Sequence, residues 1–323
     1  MNTDGDVLFV CSGGGHLRQL AGFADRLGIE KEQQVWVTFR NGLSESLLAD
    51  RRVEYVPFTA PRDLKHFAQL VARAPKILKH YRLRAAISTG SSPAVAFLPL
   101  AAMSGISSHY IESAARADGP SMTGKMISRF PGIHTYCQYP AWAGRRWQYR
   151  GSTFDKYEPG DPIPERVPRK VVVSVGTQEG YPFPRLFRAV APLLSQVDDV
   201  LYQTGDTDVS EFGITGRASL PYSELKDAMK DADVVISHAG VGGAVTALEL
   251  GKHPILIPRE VAHREHVDDH QFQVARELDR RGLATMRTPA NLTFGDLVNA
   301  GRQTVRTTTA PHFDLALPER VRQ

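Results

Sequence analysis

Val234-Val235-Ile236-Ser237-His238-Ala239-Gly240-Val241-Gly242-Gly243-Ala244 is the stretch that decides the fold class. Val234–Ser237 reads as a short buried strand. Glycines follow at once, and the helix-forming run Val241–Leu250 comes next. A strand that passes through glycines into a helix is the βα turn of a parallel-sheet protein. Glycine lets the backbone come close to a ligand, and the helix start supplies unpaired N–H groups with a partial positive charge. His238, Ala239, Gly240, Gly242 and Gly243 are therefore candidate anion-binding positions.

The same pattern recurs outward from this stretch. Val175-Gly176-Thr177-Gln178 closes the strand Val171–Val175, and the two turns together offer amides and hydroxyls to a pyrophosphate. Further strand candidates in this half are Val200–Gln203, Ile255–Ile257 and Leu283–Met286. Helix candidates are Phe183–Leu194, Tyr222–Lys230, Val267–Arg281 and Thr293–Arg302. Towards the N-terminus, Asp6–Cys11, Gln34–Phe39, Val53–Pro57, Ala85–Thr89, Ser108–Ile111 and Ile133–Cys137 read as strands. They alternate with helical segments at Leu17–Leu27, Leu43–Ala49, Leu64–Tyr81, Ala94–Met103 and Met122–Arg129. Two α/β units of Rossmann type follow from this alternation. Gly151–Arg169, rich in proline, separates them. We place an N-terminal domain at 1–158, a linker at 159–168, a second domain at 169–305 and a polar tail at 306–323. The expected site is the cleft between the carboxyl ends of the two sheets.

Three N-terminal turns face that expected cleft. Ser12-Gly13-Gly14-Gly15-His16 follows the first strand and opens a helix. It has neither the GxGxxG spacing nor the Lys-Ser/Thr of a phosphate-binding P-loop. His16, where loop meets helix, is a candidate general base because imidazole titrates near neutrality. Ser88-Thr89-Gly90-Ser91-Ser92-Pro93 repeats the strand-to-helix turn. Glu112-Ser113 ends another strand, and Glu112 is a second candidate base. The plain alternatives are tight turns without a ligand and a solvated carboxylate. In the second half, Glu249 offers a carboxylate for a ribose diol, the alternative being an ordinary surface glutamate.

His263, His266 and His270 with Asp268 and Asp269 invite a metal reading. The chain lacks HExxH or paired CxxC spacing, and Asp231-Ala232-Asp233 leads into a strand, so no metal site is expected. Cys11 and Cys137 read as reduced core residues. The longest apolar run, Ala94–Met103, is about half of the roughly 20 residues that span a bilayer, and the acidic start does not resemble a signal peptide. A cytoplasmic location is expected.

Residues 1–165 hold 20 Lys+Arg against 15 Asp+Glu, and seven of these basic residues fall between Arg62 and Arg84. Leu64, Phe67, Leu70, Val71, Ala74, Ile77, Leu78 and Tyr81 have helical apolar spacing there, flanked by Lys65, Arg73, Lys76 and Lys79. We read it as a helix resting partly on an anionic membrane, the alternative being a core-packed helix with a solvated basic face. A sequence pI near 9.0 without a recognised motif does not support nucleic-acid binding.

Val175-Gly176-Thr177, Ser237-His238-Ala239-Gly240, Glu249-Leu250-Gly251 and Asp269-His270-Gln271 resemble the catalytic component of the two-part eukaryotic enzyme that adds the second GlcNAc to dolichol-linked GlcNAc. Ser12–His16, Ile87–Gly90, Glu112-Ser113, Ser121–Lys125 and Gln138-Tyr139-Pro140 resemble its membrane-anchoring partner. Both halves are similar to MurG and to the split pairs of bacterial exopolysaccharide pathways, here fused in one chain. The resemblance implies a GT-B fold of the family 28 type, with a UDP-sugar donor and a polyprenyl-diphosphate-linked acceptor. It also implies inversion at the anomeric carbon, without cofactor or essential metal, on the inner face of the cell membrane. It places Gly240, Gly242 and Gly243 at the donor phosphates, Glu249 at the ribose, and His270 and Gln271 at the donor sugar. His16 and Glu112 face the acceptor. Asp269 stands where the eukaryotic enzyme usually has Asn, so GlcNAc, glucuronic acid, galactose and glucose all stay open. Arg259, His263 and Arg264, read as exposed loop charges, are compatible with an acidic sugar. The anchoring partner's transmembrane helix is absent. Rival readings are a non-catalytic nucleotide-sugar sensor or scaffold and a UDP-sugar 2-epimerase.

Overall fold

The computed structural model describes residues 5–59, 63–176 and 180–315. Thr177 and Gln178 therefore lie outside the described residues. The chain divides into two compact units, Met1–Thr153 with Pro311–Gln323, and Phe154–Ala310.

The first unit runs β1 (Asp6–Cys11), α1 (Gly15–Arg26), β2 (Gln34–Phe39), α2 (Gly42–Leu47), β3 (Arg52–Val56) and α3 (Leu64–His80). It continues with β4 (Leu83–Gly90), α4 (Ser91–Met103), β5 (Ser107–Ile111), α5 (Met122–Ile127), β6 (Ile133–Cys137) and β7 (Trp147–Tyr149). Its sheet order is β3-β2-β1-β4-β5-β6-β7, with all pairs parallel. Side chains alternate between faces with the period of a strand. Leu8, Val10, Val35, Val37 and Ala86 pack with Leu70, Ala74 and Phe97 on one face. Val7, Phe9, Trp36 and Ile87 pack with Leu17, Leu20 and Phe23 on the other. Burial of both faces explains why the strands are continuous apolar runs.

The second unit runs β8 (Tyr157–Pro159), β9 (Lys170–Ser174), α6 (Pro184–Leu194), β10 (Asp199–Gln203), α7 (Tyr222–Asp231) and β11 (Val234–His238). Then come α8 (Val241–Glu249), β12 (Ile255–Ile257), α9 (His270–Arg280), β13 (Thr285–Met286), α10 (Phe294–Arg302) and β14 (Val305–Thr307). The main sheet has the order β10-β9-β11-β12-β13, again all parallel. Val171, Val173 and Ile236 face α6 and α10, while Val172 and Val235 face Met229 of α7 and Ala247 of α8.

Both sheets have a topological switch point, where the chain leaves one side of the first strand and continues on the other. It lies between β1 and β4 in the first unit and between β9 and β11 in the second. Open α/β sheets bind ligands at the carboxyl ends of the strands at that point. The turns after β1, β4, β9 and β11 are the glycine-rich turns of the sequence.

Several expectations shift. The unit boundary falls at Thr153/Phe154, not at 158/159. β8 pairs antiparallel with β14, which ties 157–159 to the second unit. Residues 160–169 carry no helix or strand. The tail expected from 306 contains β14 and then Phe313, which is fully buried against Phe23 at 4.5 Å in the first unit. The helix expected from Val267 starts at His270, because the Asp268 carboxylate accepts the His270 N–H at 3.3 Å and holds 267–269 in a turn. Most of the apolar stripe of α3 packs inward, and only Leu64 at its start stays exposed. Leu70, Ala74, Ile77 and Leu78 are buried in the core, with Phe67, Val71 and Tyr81 packed beside them. Burial pushes the Cys11 thiol up to about 12, in keeping with an inert core cysteine.

Candidate functional site

In the first unit the switch point is organised around His16. Gly14 precedes α1 with φ 69°, a conformation open to glycine, and leaves His16 in the first turn. The His16 ring reaches across to the end of β4, where Nδ1 donates to the Thr89 carbonyl at 2.8 Å. The Thr89 hydroxyl donates back to the His16 carbonyl at 2.9 Å. A carbonyl only accepts, so this bond places the proton on Nδ1 and the lone pair on Nε2. Gly90 is required beside it. Its φ is 129°, and a Cβ there would meet His16 Cε1 at 2.9 Å and the Tyr110 hydroxyl at 3.2 Å. Ser91 takes a positive φ of 71° as it opens α4. Ser12, Gly13 and Gly15 line the turn after β1, with Gly13 close against the Asn41 amide.

Glu112 is placed differently from the expectation. It is 1% exposed. Its Oε1 accepts from the Ser113 N–H at 3.0 Å and from the Tyr110 hydroxyl at 3.3 Å. Its Oε2 accepts from the Ser121 N–H at 2.9 Å and the Ser121 hydroxyl at 3.1 Å. Burial raises its pKa, against the pull of these hydrogen bonds and of Arg116. Gly124 packs directly on Oε2. The carboxylate thus fastens both ends of the loop between β5 and α5. Ser113, Gln19 and Gln138 extend the network. Gln19 Nε2 donates to Ser113 Oγ at 3.2 Å, and Gln138 Nε2 donates to Gln19 Oε1 at 3.0 Å. Gln19 carried no signal in the sequence, because a lone polar residue inside an apolar helix reads as a surface position.

The second unit repeats the device with His238. Its ring lies against two glycine turns. A Cβ on Gly176, whose φ is 73°, would stand 2.8 Å from His238 Cε1, and one on Gly240 would collide with Nε2. Nδ1 faces the Ser174 carbonyl at 3.4 Å. Burial pushes the His238 pKa down to about 3, with help from the Arg259 charge, so the ring is neutral. Ala239 is fully buried. Gly240 precedes α8, and no side chain caps its first turn. Gly242 and Gly243 stand in that turn, where their missing side chains leave the amides approachable.

The remaining predicted residues divide. Glu249 lies at the far end of α8, about 12 Å along the axis from its start, and pairs with Lys156 at 3.2 Å. Gln271 is buried, and its Oε1 accepts the Arg259 N–H at 3.0 Å. His270 Nδ1 donates to Asp268 Oδ1. His266, Asp268 and His270 each bring one potential ligand atom within 4.8 Å of the others. The Tyr181 ring stacks on His266 at 5.4 Å. Asp233 accepts from the N–H groups of Arg169 and Lys170, which gives Asp231-Ala232-Asp233 a structural role at the start of β11. Arg259 is not an exposed loop charge: it is buried. His263 and Arg264 are exposed, as expected.

Residues 170–308 match the glycosyltransferase family 28 C-terminal domain. Over 70 residues the chain is 37% identical to the UDP-N-acetylglucosamine transferase subunit ALG13 of Yarrowia lipolytica, covering 21% of this chain and 34% of that one. Over 58 residues it is 40% identical to the Mus musculus protein of the same name, covering 18% and 5%. The chain thus matches about a third of the length of the first of these relatives and far less of the second. In structure it is similar to MurG of Acinetobacter baumannii, with a TM-score of 0.57 at 16% identity over 91% of this chain and 89% of that one. It is also similar to the glycotransferase of kitacinnamycin, with a TM-score of 0.59 at 15% identity over 93% and 90%. Most of the second unit thus matches the family 28 C-terminal domain, and the chain that carries it has the GT-B fold of two Rossmann-like domains.

Proposed function

We propose that the protein is an inverting glycosyltransferase that moves a hexose-type sugar from a UDP-sugar to a polyprenyl-diphosphate-linked saccharide. The observation that carries this reading is the paired turn at Gly176 and Gly240 in a family 28 C-terminal domain. Relatives of that domain are named for UDP-N-acetylglucosamine transfer. In this reading the amides of the first turn of α8 receive the diphosphate and stabilise the charge that builds on departing UDP. His270 and Gln271 border the sugar.

His16 is the base in this mechanism. Its Nδ1–H is held by Thr89, so Nε2 takes the proton from the acceptor hydroxyl as that oxygen attacks C1. The C1–O bond to UDP breaks as the new one forms, through an oxocarbenium-like transition state. Glu112 braces the acceptor loop rather than sharing the base role, since its oxygens are already engaged by four donors. No step calls for a metal.

A lipid-linked acceptor requires a membrane surface. Among the described residues no helix is long and apolar enough to cross one. Support for peripheral docking at the inner face comes instead from Phe58, Leu64 and Met122, which are 66%, 78% and 73% exposed. Phe58 follows β3, Leu64 opens α3 and Met122 opens α5, so all three stand at the carboxyl edge of the first sheet, the edge of the His16 turn. Lys65 adjoins them for anionic headgroups. The test is flotation with anionic liposomes. Phe58→Ser, Leu64→Ser and Met122→Ser combined should lower the bound fraction, and unchanged binding would sink the membrane assignment.

The activity is tested by UDP release from a panel of UDP-sugars, with and without a polyprenyl-diphosphate-saccharide. Release that needs one donor and the lipid acceptor supports the reading. Clear UDP binding without release favours a sensor. Interconversion of free UDP-sugar without acceptor favours an epimerase.

A further inference from the structure

Arg259 follows β12 and is 1% exposed. One guanidinium nitrogen donates to the Val175 carbonyl at 3.0 Å, the carbonyl immediately before Gly176. The Phe183 ring lies 5.6 Å from its Cζ. Its Nε is buried and, among the described residues, has no hydrogen-bond partner. The acids around it are committed elsewhere. Glu265 forms an ion pair with Arg185 at 2.8 Å and accepts the Glu260 N–H at 3.1 Å, and Asp206 accepts the Gly180 N–H. Burial lowers the guanidinium pKa to about 10, which leaves it charged at neutral pH.

A buried cation that Glu265 and Asp206 attract, but that forms no salt bridge among the described residues, is costly unless further negative charge completes it. This one touches the β9 turn from within the unit, and its charge is felt by His238, whose ring bridges the turns at Gly176 and Gly240. The uncapped start of α8 opens at the same switch point. The two positive features are independent: one is a helix terminus, the other a side chain from the loop after β12.

We propose that Arg259 is the positioning cation of the donor diphosphate, holding the Val175–Gly176 turn and supplying the charge that a nucleoside diphosphate completes. This deepens the donor reading of the second unit and rests on it. The cation acts from beneath the turn, so it discriminates by charge: it favours UDP over UMP and UMP over uridine, whatever the sugar. The leaving UDP gains negative charge as the glycosidic bond breaks, so the same cation favours its departure.

The experiment is calorimetric binding of UDP, UMP and uridine to the full chain and to Arg259→Met and Arg259→Lys. Arg259→Met should lose about 10- to 100-fold in UDP affinity while uridine affinity stays put, and Arg259→Lys should recover part of the loss. A folded Arg259→Met that keeps the wild-type ratio of UDP to uridine affinity would overturn the proposal. If Arg259→Met does not fold, the nitrogen-15 resonance of Arg259 Nε in the wild type decides. A shift on adding UDP but not uridine supports the role, and no shift refutes it. Wild-type protein that is folded yet binds no UDP would refute the donor reading itself, a result distinct from equal affinities in the variants.

Discussion

His16 and His238 stand at the switch points of the two units on opposite sides: His16 opens the helix after β1 and reaches to β4, and His238 ends β11 and reaches to β9. Each stands beside the first strand's switch point, each directs Nδ1 at a backbone carbonyl of the adjacent strand, and each packs its ring on a glycine with positive φ. Their settings differ. His16 holds its carbonyl at 2.8 Å in the first turn of α1, half-buried, with its lone pair directed to Nε2. His238 is driven neutral by burial and by the Arg259 cation, and it fills the space between two glycine turns. On the proposed mechanism, similar histidine-on-glycine contacts serve as a base in one unit and a spacer in the other. What separates them is the neighbouring Arg259 charge and the second glycine turn that packs on His238.

The largest effect should come from breaking the base. His16→Ala is expected to lower kcat by about 10²- to 10⁴-fold while UDP affinity stays unchanged. Turnover near the wild-type level would remove His16 from the mechanism. Breaking the spacer should act on binding. Gly176→Ala puts a methyl 2.8 Å from the His238 ring and forces alanine to a φ of 73°. We expect a loss of about 10- to 100-fold in UDP affinity, read by calorimetry, from strain of this kind. Unchanged affinity would separate the turn from the donor.

The smallest effect sharpens the electrostatic contrast. A histidine whose folded pKa is depressed to about 3 takes up its proton in the unfolded chain first. Its contribution to stability is therefore complete above its ordinary pKa of 6.5 and is lost as pH falls from there towards 3. The carbon-bound ring proton of His238 should hold one chemical shift between pH 8 and pH 5. Movement in that range would show that the ring is solvated and charged.

The sequence made much of the fold legible because both sheets are parallel and buried on both faces. Val7–Cys11, Val35–Val37 and Val234–Ile236 are uninterrupted apolar runs, and glycine marks the turns at which they end. The three-residue strands β7, β8 and β14 were not legible because they mix exposed polar residues into so short a run, whereas β12, equally short, is a fully buried Ile-Leu-Ile run. The α3 stripe was legible as a helix but not in its role: a core face and a membrane face have the same spacing, and only the neighbours Phe97 and Ala86 tell them apart. For the site, glycine turns and His16 could be read from local pattern. The bracing of Glu112 by Ser121 and the burial of Arg259 under Val175 depend on contacts across 9 and 84 residues, which local pattern does not carry.

The most direct test of the central claim is UDP release from the purified chain, with each UDP-sugar in turn, in the presence and absence of a polyprenyl-diphosphate-saccharide in anionic vesicles. The account predicts release with one donor only when the lipid acceptor is present, and its loss in His16→Ala. Release that does not depend on any acceptor, or none with any donor, would contradict it.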